Sequence, residues 1–271
     1  NGYEIPSTME ELIALSDQMV ADGNTPWCIG VESGNATGWT ATDWMEDLML
    51  RTTSPENYDR WVSNDLPFNS PEVLNAMEVY GQFSRNDDYV AGGASSVATT
   101  FFGDAPKGLF SSPASCMMHR QASFIPAFFP KKGEEVANGE ADFFYFPPYA
   151  SIDLGNPVLG AGTLWTMTKD SPATRAFFEY MKEASAHEAW MSQGTFLTAH
   201  KGADLNAYAT PALRKQGEIL SNATTFRFDA SDLMPGAIGA GAFWSEMTAF
   251  ANGQDAKTTA DNIQAAWDAI K

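Results

Sequence analysis

Apolar residues recur along the chain with two different periods. After Thr8, positions Leu12, Leu15, Met19 and Val20 line one side of a 3.6-residue repeat that Asp22-Gly23 ends, which predicts a helix. Thr8 and Glu11 have the spacing of a capping box at its start. Trp27-Cys-Ile-Gly-Val31 is a short apolar run between turn residues and predicts a buried strand. A second helix is predicted from Thr40 to Leu50, with Thr40 and Asp43 in capping positions. Ser70-Pro71 opens a third, whose inward face carries Val73, Leu74, Met77 and Tyr80.

Further along, the pattern loosens. Gly108 to Ser112 reads as a strand. From Ala127 to Pro157, prolines, glycines and aromatics predict irregular loops, with short strands around Phe143 to Phe146. Val158 to Thr168 reads as a strand, and Ser171-Pro172 opens a long helix with Phe177, Met181, Ala184 and Trp190 inward. Helices near Pro211 to Leu220, Phe243 to Ala251 and Thr259 to Ile270 complete the chain, the last with Ile263, Trp267 and Ile270 at i, i+4, i+7. Helices alternating with short buried strands define an α/β protein.

Composition narrows the possible partners. The 271 residues carry 34 acidic and 16 basic side chains, a net charge of -18, which argues against nucleic acid because phosphate binding needs clustered Lys and Arg. No apolar run approaches the ~20 residues needed to cross a bilayer. There is no initial Met and no basic, apolar leader, so any targeting segment is one already removed or never present. Cys28 and Cys116 stand outside any C-x-x-C motif. They are either two buried free thiols or one disulfide between neighbouring strands.

The stretch Gly30 to Asp47, GVESGNATGWTATDWMED, concentrates candidate chemistry: two tryptophans and four carboxylates around a glycine-rich turn. Asp43 and Asp47 share a helix face, but one face does not readily embrace a glycosidic bond from both sides, as the two carboxyls of a glycosidase must. Asp43 is better suited to accept hydrogen bonds from ligand hydroxyls. The histidines, His119, His187 and His200, read as surface or capping residues. His187-Glu188 lacks the second histidine of a zincin motif, since Met191 stands there, and no metal site is expected. No G-x-S-x-G elbow occurs, and neither Gly160-Ala-Gly162 nor Gly236 to Gly241 completes a phosphate cradle, so no cofactor is expected. Trp39, following Gly38 at a helix entrance, offers a flat apolar face suited to the C–H side of a sugar ring, with polar groups nearby for the hydroxyls. Trp44 reads as core.

Six segments carry a resemblance: Pro6-Ser-Thr-Met-Glu-Glu-Leu12, Thr25-Pro-Trp-Cys-Ile-Gly30, Thr37-Gly-Trp-Thr-Ala-Thr-Asp-Trp44, Met118-His-Arg-Gln-Ala-Ser-Phe124, Gly194-Thr-Phe-Leu-Thr198 and Ala242-Phe-Trp244. In family order along the whole chain, they resemble the maltose-binding-like extracellular solute-binding proteins of ABC sugar importers, especially the α-glucoside-binding branch. The resemblance implies a periplasmic-binding-protein type II-like fold of two α/β lobes that close by hinge motion on a ligand in the cleft between them. It places residues 1–159 and 223–271 in the second lobe and 160–222 in a helical return to the first. It also implies that the N-terminal part of the first lobe is absent.

The function implied by this resemblance is capture without chemistry. The implied partners are a small-molecule sugar, an α-glucoside or related oligosaccharide, and the ABC permease subunits in the membrane. The protein is expected to be periplasmic or extracellular, monomeric and not an enzyme. Trp244 matches the aromatic that stacks on a sugar ring, and Trp39 lies in the segment that lines the cleft. Trp165, at the interlobe crossing, either faces the cleft or packs the hinge. With Asp43 and Arg120 from the matched segments, and Glu32 between two of them, these are the expected ligand-binding residues. The Ser112-Pro-Ala-Ser115 turn stands where relatives carry a stacking Trp, and has none. Within an exported protein the resemblance favours the Cys28–Cys116 disulfide. The rival reading is a secreted glycoside hydrolase using acidic residues near Asp43.

Overall fold

The computed structural model describes residues 2–194 and 196–271. Eleven α-helices are formed among them: α1 Met9–Ala21, α2 Trp39–Thr52, α3 Pro55–Val62, α4 Pro71–Ser84, α5 Glu134–Ala137, α6 Pro172–Tyr180, α7 Ala184–Met191, α8 Pro211–Ser221, α9 Ala230–Leu233, α10 Trp244–Ala251 and α11 Ala256–Ile270. Strands β1 Pro157–Gly160 and β2 Thr225–Phe228 pair in parallel, Pro157 opposite Thr225 and Gly160 opposite Phe228. None of the described helices is long and apolar enough to cross a membrane.

The chain forms two compact units. The first comprises residues up to Gly133, Phe146–Gly160 and Thr225–Lys271, and holds α1–α4, both strands and α9–α11. The second comprises Glu134–Tyr145 and Ala161–Thr224, with α5–α8.

Local chemistry accounts for most of the helix starts. Thr8 caps α1 by accepting from the Glu11 N–H at 3.1 Å, while the Glu11 carboxylate accepts from the N–H and hydroxyl of Ser7, one residue earlier than a standard capping box. Pro at the first turn opens α3, α4, α6 and α8. Helix α2 departs from the expectation: its cap is Gly38, at φ +107°, with no side-chain cap bond. Thr40 instead donates to the Gly30 carbonyl, tying the helix to the preceding segment.

The first unit is centred on Trp27. Its ring meets Trp44 edge-on at 5.6 Å and Phe83 at 5.3 Å, and its indole N–H donates to Ser16 of α1. A second aromatic cluster joins Trp61, Phe68 and Phe243, with centroids 5.1 to 5.5 Å apart. On α11, Ile263 and Trp267 are buried and Ile270 is exposed.

Several predicted elements differ. The run at Trp27–Val31 forms no continuous strand: Trp27 makes isolated parallel bridges to Val90 and Met118, and Val31 N–H donates to the Val97 carbonyl. Gly108–Ser112 is no strand; Ala105–Phe110 forms a 3-10 helix opened by Pro106. The strand expected at Val158–Thr168 ends at Gly160. The helix from Ser171 is broken at Met181–Glu183 into α6 and α7, and Phe177 is partly exposed. The Gly194–Thr198 motif contains Thr195, which lies outside the described residues.

Candidate ligand surface and its buried charge cluster

The glycine that starts α2 positions the site. A Cβ at Gly38 would stand 2.2 Å from the Trp244 carbonyl oxygen and 2.7 Å from the Thr248 hydroxyl, so only glycine lets α2 press its first turn against the first turn of α10. Trp39 and Trp244, the first residues of those helices, are thereby held on adjoining turns of the first unit. Both are half-buried, and the Trp244 indole N–H is buried without an acceptor among the described residues.

Around Trp39 the structure assembles aromatics that the sequence pattern does not single out. The bridge between Glu32 and Phe101, with Glu32 N–H donating to the Thr100 carbonyl, carries Phe101 and Phe102 to this face. Phe102 meets Trp39 edge-on at 5.1 Å and Phe128 at 5.0 Å, and Phe124 lies 5.9 Å from Trp39. Phe101 and Phe124 are 37% and 44% exposed. Large aromatics left open to water in a cluster mark an interaction face more readily than a core. The signal is present in the doublet Phe101-Phe102 and in Phe124 of the MHRQASF segment, but single phenylalanines read as core. The Ser112–Ser115 turn offers no ring; Ser111 fills it with hydroxyl bonds to the Gly108 and Pro113 carbonyls.

One helical turn below Trp39, acidic residues gather. Glu46 is fully buried, and its carboxylate accepts from the Ala230 and Ser231 N–H groups at 3.0 and 3.1 Å, the first turn of α9. Asp229 caps that same turn, accepting from the Asp232 N–H at 3.0 Å and the Ser231 hydroxyl at 2.8 Å. The carboxylates of Asp43, Glu46 and Asp229 offer oxygens that all lie within 4.8 Å of one another. Burial first, then the Asp229 and Asp47 charges, push the Asp43 carboxyl well above its ordinary range, against the opposing pull of Arg120. Burial likewise raises Glu46, with Asp229 and Asp43 adding to it.

Asp47 is arranged oppositely. It pairs with Arg51 and, at 2.7 Å, with Arg120. Burial acts to raise its carboxyl, yet the two guanidinium groups overcome this and hold it below the usual carboxylate range. Arg120 also donates to the Asp43 carbonyl and lies 5.3 Å over the Trp44 ring. Arg51 donates to the Phe146 and Pro147 carbonyls, fastening that segment to α2.

The expected ligand-binding residues therefore fall into different settings. Trp39, Trp244, Asp43, Glu32 and Arg120 belong to the first unit. Glu32 is engaged locally, accepting from the Gly34 N–H at 2.6 Å, and Arg120 is committed to Asp47. Asp43 does not serve as a cap: its carboxylate turns to the acidic cluster instead of the α2 terminus. Trp165 belongs to the second unit, 51% exposed and stacked between Phe177 and Trp190 at 5.2 and 5.7 Å.

Cys28 and Cys116 are joined by a disulfide, with Cα atoms 5.5 Å apart. Gly108 passes so close that a Cβ would stand 2.4 Å from the Cys116 sulfur. His119 is neither a surface residue nor a cap. It is largely buried with Nδ1 at 2.7 Å from the Cys28 carbonyl, and burial pulls its pKa down to about 4. His187 and His200 do cap: they bond the Met181 and Lys182 carbonyls at the end of α6.

The clustered carboxylates do not resemble a glycosidase pair. Their oxygens crowd together, and Glu46 is spent on backbone N–H groups, whereas bond cleavage needs two carboxyls on opposite sides of a substrate.

The fold defined by these elements is that of the periplasmic solute-binding proteins. The solute receptor AcbH, described as having an exclusive substrate preference for β-D-galactopyranose, superposes with a TM-score of 0.81 at 19% identity, covering 99% of this chain and 67% of that one. A chitin oligosaccharide binding protein superposes with a TM-score of 0.77 at 16% identity, covering 98% and 65%. No family model matches the chain. In sequence the chain is 59% identical, over all 271 residues, to the alpha-glucosides-binding periplasmic protein AglE of Rhizobium meliloti, of which it covers 59%. It is 45% identical over 267 residues to the osmoprotective compounds-binding protein GgtB of Synechocystis sp., covering 98% of this chain and 62% of that protein. The resemblance to solute-binding proteins read from the six segments thus extends over the full chain, which spans about three-fifths of the relatives' length.

Proposed function

We propose that this chain is the larger part of the substrate-binding component of an ABC importer, one that captures an α-glucoside or related oligosaccharide outside the cytoplasmic membrane. The observation that carries the reading is the open aromatic face of Trp39, Phe102, Phe124 and Phe101. Together with Trp244 at the start of the adjoining helix, it offers aromatic ring faces on which a sugar can pack. The 59% identity to a protein named for α-glucoside binding supports the choice of ligand class.

Binding on this reading works by differential contact. Aromatic faces cover the C–H surface of a ring, and Asp43 meets its hydroxyls. The first unit represents the second lobe, and the second unit represents part of the first lobe. Ligand favours the closed state only by the contacts it gains there, and that state is what the membrane permease subunits recognise. The role needs no bond to be made or broken.

A thermal-shift screen of mono- and disaccharides, with a non-sugar osmoprotectant as control, tests the reading. Stabilisation by α-glucosides recovered intact supports it; release of free glucose favours a hydrolase, and stabilisation by the osmoprotectant alone favours a GgtB-like ligand.

A further inference from the structure

Three carboxylates with oxygens inside 4.8 Å repel strongly once water is largely excluded, unless a cation or a proton offsets their charge. The nearby cations are already placed. Arg51 and Arg120 both face Asp47, and the remaining bond of Arg120 on this side goes to the Asp43 backbone carbonyl, not to its carboxyl. The other titratable groups facing the cluster are Asp232 of α9 and Tyr58 of α3, and neither brings a positive charge. Hydrogen-bond donors are also unevenly shared. Glu46 accepts two backbone N–H groups and Asp229 accepts one N–H and one hydroxyl, which favour the ionised form of each. Among the described residues, no hydrogen bond reaches the Asp43 carboxyl.

We propose that Asp43 keeps its proton at neutral pH and donates it within the Asp43–Glu46–Asp229 cluster, so that one shared proton clips α2 to the turn that begins α9. The burial and neighbouring charges that raise Asp43 act in the same direction. The clip is well placed to matter. Trp39 lies one turn before Asp43 on α2, and α9 leads through the π-helical turn Ile238–Phe243 directly into Trp244. The proton therefore sits on the connection between the two helices that begin with these tryptophans.

Linkage sets the sign of the pH effect. A carboxyl whose pKa is raised on folding is protonated in the native state and ionised in the unfolded chain at any pH between the two values. Stability from this group is fully present below the unfolded carboxylate pKa of about 4, and it falls as pH rises toward the native value, by up to tenfold in the folding constant per pH unit.

The test is the pH dependence of the folding constant of this chain, without sugar, compared with Asp43→Asn, a neutral isostere that cannot bind the proton. The expected result is a shallower fall in the variant between pH 5 and pH 9, by up to tenfold per unit. Equal slopes overturn the proposal. Should the variant not fold, infrared spectra of the wild-type chain at pH 7 decide: a protonated-carboxyl C=O band that shifts on ¹³C labelling of aspartate supports it, and the absence of such a band overturns it. No sugar is present in either measurement, so failure here leaves the binding reading standing, and failure of binding leaves the clip standing.

Discussion

The Glu46 carboxylate reaches across 184 residues of sequence to the Ala230 N–H at 3.0 Å, so a side chain in the middle of α2 supplies the acceptor that the first turn of α9 lacks. Helix N-termini leave N–H groups unpaired, and a buried one is costly to abandon. Glu46→Ala strands the Ala230 and Ser231 N–H groups together, and the expected loss is about 2–4 kcal/mol. Glu46→Gln keeps one carbonyl acceptor and loses less. Urea denaturation of both variants checks the order; equal losses would show that the N–H contacts contribute little.

Asp47 governs the acid side. Because its carboxyl is lowered by Arg51 and Arg120, its contribution to stability is present above the unfolded pKa of about 4 and disappears as pH falls through the native value. Arg120→Ala removes one of the two partners of a buried acid, at an expected cost of about 3 kcal/mol at neutral pH. The same variant should show a weaker acid dependence than the wild type, measured as denaturation midpoint between pH 3 and pH 7.

Gly38→Ala tests the junction of the two indole-bearing helices. Its φ of +107° disfavours any side chain, and the new Cβ would run into the Trp244 carbonyl. A loss of about 2 kcal/mol or more is expected, since the backbone must move. Sugar affinity should fall with it. Unchanged affinity in a folded variant would separate the Trp39 and Trp244 positions from binding.

Reduction of the Cys28–Cys116 bond opens a loop of 88 residues and should cost about 2–5 kcal/mol. A thiol titration of the unfolded, unreduced protein should find no free thiol; finding two would contradict the bond.

How far these features are legible in the sequence depends on the range of the interactions behind them. Helix starts marked by Pro71, Pro172 and Pro211 are readable because proline acts within its own turn. The start of α2 is displaced by one residue from its predicted place, since the cap is fixed not by Thr40 but by the packing of Gly38 against α10, more than two hundred residues away. Trp39 stands out by its glycine neighbour, whereas Phe101, Phe102 and Phe124 do not, because an apolar ring looks the same in sequence whether a core covers it or not. The acidic cluster is half visible: Asp43, Glu46 and Asp47 are local to one helix, but Asp229 and Arg120 reach it only through the fold. Crowding then makes Asp43 a proton holder where spacing alone suggests a cap.

The central claim, that the Trp39 face of the first unit is a sugar-binding surface, is tested most directly by calorimetric titration with maltose and trehalose, comparing this chain with Trp39→Ala. The account predicts saturable binding of intact sugar by the wild type and a loss of about tenfold or more in the variant, ~1.4 kcal/mol, with the fold preserved by circular dichroism. Equal affinity in the two proteins, or sugar recovered as free glucose, would contradict it.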